Sequence, residues 1–224
     1  MKDAPVYADR SQRFADLESI ACYGWFSSTQ EPSCIREPIL WRTEFVELAL
    51  GRWIDAQQGD VEPWLLVLYH MIHITQHCNL GLLQRLARFI SRTDRIPSGA
   101  GALASVKKWL SGRKYAMSEW HAKALLKVAQ RSISDTEQQW GQNSSRNADY
   151  DQITPYCYAP ETLHFPVCVY SATLVLWYGS LNLGRDEFLR NAPLEHGIQI
   201  LGGLKMHLAR SLGTALMELK REPG

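Results

Sequence analysis

Apolar residues recur at every third or fourth position through WLLVLYHMIHITQHCNLGLLQRLARFI, residues 64–90, and no stretch of the chain alternates as a half-buried strand does. A 3.6-residue period turns one side of a segment towards a core, whereas a strand needs a period of two. The helical period returns in REPILWRTEFVELALGRWIDAQQ, where Pro38 sits near the start, a position helices tolerate. It returns again in the closing GGLKMHLARSLGTALMELKRE, whose Leu204, Leu208, Ser211, Leu212, Ala215, Leu216 and Leu219 form one predicted stripe behind a Gly202–Gly203 breaker. HFPVCVYSATLVLWYGSL is rich in β-branched residues, yet its length and Pro166 near its start predict a fully buried helix.

Shorter helices are expected over 102–110 and in GRDEFL and PLEHGIQIL, and Ser118 is the expected N-cap of SEWHAKALLKVAQRSI, with continuation towards Trp140. Gly59 and Asp60 break the chain before residue 62, and Gly81 marks an irregularity within the second long segment. The polar run GQNSSRNADYDQITP, 141–155, is the expected loop between two halves of a single helical domain spanning 1–224. The fold class that follows is all-α, an irregular multi-helix bundle.

With 46% hydrophobic and 21% charged residues in 224, the chain can bury a sizeable core. A formal charge of +1 provides no basic footprint for direct nucleic-acid binding and no polybasic membrane patch. The longest apolar runs, WLLVLY and VYSATLVLWYGSL, fall short of the roughly 20 residues a membrane span needs. Five cysteines, Cys22, Cys34, Cys78, Cys157 and Cys168, form no C-x-x-C pair, and MKDAPVYADRSQRF has no apolar signal-peptide core. The expectation is a cytoplasmic protein with reduced thiols. Eight Trp and nine Tyr predict an interior walled by aromatic rings.

Three of the seven histidines fall in HMIHITQH. On a helix His77 lies about 20° around the axis from His70 and His73 about 60° away, so the three share a stripe. His70 and His77 are separated by a rise of about 10.5 Å, which keeps one helix from bringing all three rings to one ion. Met71 and Ile72 stand where a zinc-protease H-E-x-x-H would place its acid, so no metal is expected. Three readings stay open: neutral rings lining a core or cavity, a metal pair completed from elsewhere, or acid–base and hydrogen-bond use towards a ligand. His164 near Cys168, and Glu195 beside His196, read as core and helix-end residues before they read as a nucleophilic pair. No phosphate-binding loop, dinucleotide fingerprint, G-x-S-x-G elbow or Asp-rich diphosphate motif is present, and no cofactor is expected.

Three blocks resemble the last part of the fungal-specific transcription factor domain, the helical regulatory region of fungal zinc-finger and zinc-cluster regulators. They are YH-x-x-H at 69–73, P-x-C-x-Y-x-A-T-L-x-L-W at 166–177, and G-x-x-I-L followed by a helix from 197. The resemblance extends over residues 36–220 and implies an all-α regulatory fold in which His70 and His73 are a packing feature of the family. The zinc-binding head that such regulators use on DNA has no counterpart in the cysteine and histidine spacing here, so direct DNA binding is not expected.

Two functions are compatible with these observations. The length of the chain without that head favours, narrowly, a stand-alone enzyme of secondary metabolism. It would bind a hydrophobic terpenoid or polyketide and template a cofactor-independent, Diels–Alder-like cyclisation, a class of step in which orientation contributes about 7–11 kcal/mol. Its expected catalytic residues are His73, His70 and Tyr69, with His73 in polar contact with substrate. His77 lies on the same wall and His164, Tyr170, Trp177 and Tyr178 opposite, with Trp64 also binding substrate. The alternative is a non-catalytic, nuclear, ligand-sensing or partner-binding module that forms a homodimer or pairs with a DNA-binding regulator.

Overall fold

The computed structural model describes residues 10–29, 39–57, 61–91, 99–143, 162, 164–182 and 187–221. Among them run nine α-helices and no strand: α1 Arg10–Thr29, α2 Ile39–Ala56, α3 Pro63–His77, α4 Leu80–Ser91, α5 Gly99–Leu110, α6 Arg113–Asn143, α7 His164–Asn182, α8 Glu187–Gly202 and α9 His207–Arg221. No described helix is long and apolar enough to cross a membrane. The all-α expectation holds.

α7 is apolar on every side, and such a helix is stable only when covered all round. α3, α6, α8 and α9 all pack against it, and Phe165, Val169, Ala172, Leu174 and Val175 are fully buried. Of its buried hydroxyls, Ser171 has no hydrogen-bond partner, while Thr173 and Ser180 bond to backbone carbonyls. Thr173 Oγ1 donates to the Val169 carbonyl at 2.8 Å, and Ser180 Oγ lies 2.6 and 2.8 Å from the carbonyls of Trp177 and Arg190, the second reaching α8. Close approach of α8 to α7 is set by Gly197, where a Cβ would run into the Thr173 side chain. α3 packs along α6, and α1 and α2 lean against the outer side of α3.

The segment 64–90 is two helices, and the break lies before Gly81, which is inside the first turn of α4. Pro63 occupies the first turn of α3, whose N–H groups need no partner. Cys78 ends that helix in extended backbone at φ −132°, ψ 130°, while its N–H still reaches the Ile74 carbonyl at 2.9 Å. Asn79 then caps α4, its Oδ1 accepting the Leu82 N–H at 3.0 Å. Trp109 of α5 closes the join by donating Nε1–H to the His77 carbonyl at 2.8 Å.

Other boundaries shift. Ser118 is no N-cap: α6 starts at Arg113, and Ser118 sits a turn inside it, donating to the Lys114 carbonyl at 2.9 Å. The start of the expected 141–155 loop belongs to α6, which runs through Asn143; the rest of that loop, like Pro38, Gly59 and Asp60, lies outside the described residues. GRDEFL and PLEHGIQIL are joined, for the described part, in one helix with Pro193 inside it. In α9 the buried line runs through Ala209, Gly213, Leu216 and Leu219, which leaves Ser211 of the expected stripe exposed. α1 has weak periodicity and was not foreseen from sequence; Leu17 anchors it, helped by Phe14, Ile20 and Ala21.

Candidate functional site

α3 turns Tyr69, His70, His73 and His77 towards neighbouring helices, and α6 answers with Trp120 and His121. His70 Nδ1 stands 3.0 Å from His121 Nδ1, so one imidazole donates and the other accepts. The His73 ring lies flat on His121, with centroids 4.0 Å apart and planes 12° from parallel. Tyr69 meets His73 and His70 edge-on at 4.8 and 5.2 Å, and Trp120 meets His121 edge-on at 4.7 Å. Trp53 of α2 stacks on the other side of Tyr69 at 6.0 Å. All four histidines of the group are buried.

Burial sets their charge. His70 is held down to about 4 by desolvation alone. Desolvation, then the charges of His70 and His77, lowers His73 to about 4. Desolvation followed by His73, His70 and His77 takes His121 to about 3. At neutral pH the rings are uncharged, and the His70–His121 contact needs at least one of its two rings to stay so, since a protonated ring has no acceptor nitrogen. His73 is the strained member: both ring nitrogens are buried without a hydrogen-bond partner. His77, at the far end of the stripe, has Nε2 3.2 Å from Glu47 Oε1, but the alignment makes no hydrogen bond. Burial lowers its pKa, Glu47 opposes the shift, and Lys114 and Arg113 add to it. Among the described residues no group of three His, Cys, Asp or Glu side chains could hold a metal ion.

The residues expected to face this wall are engaged elsewhere. His164 packs with Trp64 at 6.0 Å and Phe14 at 6.3 Å, where α1, α3 and α7 meet. Tyr178 donates its hydroxyl to the Leu83 carbonyl at 3.0 Å, and Trp177 lies beside it in the core. Burial raises the Tyr178 pKa well beyond its usual range, and desolvation raises that of half-buried Tyr170 against the pull of Arg88. Burial also pushes the Cys168 thiol up to about 12, which keeps it protonated and not nucleophilic. Tyr69, His70 and His73 are thus brought together, with His77 one turn on. His121, which the sequence reading passed over, completes the group; its signal was a histidine on the core-facing side of SEWHAKALLKVAQ.

A separate feature lies on the outer side, between α1 and α2. Asp16, Ser19 and Ile20 face Phe45, Leu48, Ala49, Arg52 and Trp53 across an open groove of about 400 Å³. Phe45 is 53% and Leu48 59% exposed, although both lie on a helix whose opposite side buries Val46 and Leu50 completely. Tyr23 packs edge-on against Phe45 at 5.3 Å and extends the apolar surface along α1. None of the residues expected from sequence lines this groove. Its signal was present in α2, where Phe45, Leu48 and Ala49 form a second apolar row at helical spacing beside the core row, with Arg52 at its end. Comparison with family models, with curated proteins and with solved structures finds no match to this chain.

Proposed function

We propose that this chain is a helical regulatory module, of the kind its sequence resembles in fungal transcription regulators, and that it acts by taking a partner's amphipathic helix into the α1–α2 groove. The observation that carries the reading is the groove itself: α1 and α2 bury Leu17, Val46 and Leu50, yet Phe45 and Leu48 beside the groove are left open. The three blocks of the resemblance support it. They fall on α3, α7 and α8–α9, which pack on one another, and the motif glycine, Gly197, is the close-approach point of α8 on Thr173. On this reading the histidine group is packing inside the module, in keeping with its burial and neutral state.

The test is a tethered reporter. The chain fused to a heterologous DNA-binding domain is expected to change transcription from the cognate promoter severalfold. Output equal to that of the bare DNA-binding domain sinks the proposal.

A second reading, catalysis of a cofactor-free cyclisation, is favoured by one observation: the unpartnered ring nitrogens of His73 beside the Tyr69 ring, which a polar substrate group could engage. It requires consumption of a terpenoid or polyketide by the purified chain but not by a boiled control, with loss in His73→Phe.

A further inference from the structure

The histidine group lies on the contact between α3 and α6 and is unused by the groove. The contacts in it tolerate little charge: the 3.0 Å Nδ1–Nδ1 pair of His70 and His121 needs one ring neutral to accept and is lost when both are protonated, and His73 stacks on His121 at 4.0 Å with no hydrogen-bond partner on either ring nitrogen. We propose that His70, His73 and His121 form an acid-sensitive latch, closed when neutral, which releases α6 from α3 when the rings take up protons.

The surroundings offer a protonated cluster little compensation. On α3 itself the neighbours are the Tyr69 phenol and His77, whose charge when protonated would oppose protons on His73 and His121. From α2 come Glu47, which is engaged with His77, and Asp55, which faces Tyr69. From α6 come Arg113 and Lys114, which oppose any further positive charge near His77, while Glu119 pairs with Lys123 at the exposed side. Arg13 of α1 pairs with Glu62 at the start of α3, and the nearest titratable ring from α7, His164, sits against Trp64. A proton on one ring therefore stands against two others a few ångströms away, so the second is harder to add while the contact stays closed.

The sign follows from linkage. Unfolded or released histidines titrate near 6.5, the latched ones lower, so the open state binds more protons between about pH 6.5 and pH 4. The closed state is fully favoured above that window and loses ground as pH falls through it. Trp120, 61% exposed and edge-on to His121, reports the change, since release removes its ring neighbours.

Amide hydrogen exchange of the full chain from pH 7.5 to 4.5, corrected for intrinsic rates, is the test. Protection of residues 66–77 and 117–125 is expected to fall about tenfold or more between pH 6.5 and 5, while residues 169–180 in α7 keep theirs. Constant protection at 66–77 and 117–125, or an equal loss in α7, overturns the latch. Urea unfolding at a series of pH values adds a count: because His77, His164 and His196 are lowered too, the readout is a difference, and His73→Phe should take up about one proton fewer than wild type on unfolding near pH 5. An unchanged count in that variant overturns the assignment to this cluster. Should His73→Phe fail to fold, the wild-type exchange profile decides alone.

Discussion

His73 and Gly197 show how single positions carry this architecture. A buried imidazole with two unpaired nitrogens forgoes hydrogen bonds it would have in water, at a cost on the order of 1–3 kcal/mol. His73→Phe keeps a flat ring over His121 and removes both orphan atoms, so it should raise stability by about 1 kcal/mol at pH 7, measured by urea denaturation. Gly197→Ala acts in the other direction. Its methyl meets Thr173, whose branched side chain is fixed by a hydrogen bond to Val169, so α8 must move away from α7, with an expected loss of about 1–3 kcal/mol. At this scale the sequence was informative about type and silent about pairing. The spacing of His70, His73 and His77 places them on one stripe, but the partner that gives the stripe its geometry, His121, is 51 residues away from His70. No local pattern encodes that contact.

Helix identity was legible in α3 and α9 because apolar period and length agree, and in α7 because its length and Pro166 outweigh its β-branched residues. Helix ends were not, because the groups that end them come from elsewhere in the chain. The α3–α4 break illustrates this. Gly81 carries the strongest local signal, yet the helix stops at His77, four residues earlier, where Asn79 can cap the next helix and Trp109 of α5 can satisfy the last carbonyl. Trp109→Phe should therefore cost about 1–2 kcal/mol through the lost Nε1–H bond, with thermal denaturation as the measure, and the loss should be accompanied by faster exchange at the end of α3. Ser118 failed as a cap for a related reason. Its hydroxyl finds a partner one turn back within α6, an arrangement open to any helical serine. α1 escaped notice since its burial depends on Leu17 and a few flanking residues and not on a continuous apolar row.

At the scale of the molecule, the resemblance-bearing helices α3, α7, α8 and α9 converge on one another, while an open apolar groove lies between α1 and α2. The sequence expectation put function at the histidines, which in the structure lie in the contact between α3 and α6. The groove stayed unseen because a second apolar row on α2 looks like additional core until α1 is placed beside it and leaves Phe45 and Leu48 uncovered. The central proposal is that partner binding resides in that groove and that the histidine group, inside the α3–α6 contact, takes no part in it at neutral pH. The most direct test compares two variants in the tethered-reporter assay. Phe45→Glu with Leu48→Glu puts charge on an exposed surface, should leave the melting temperature within a few degrees of wild type, and is predicted to abolish the transcriptional effect; His73→Phe is predicted to retain it. Retention by the groove variant together with loss in His73→Phe would contradict the account.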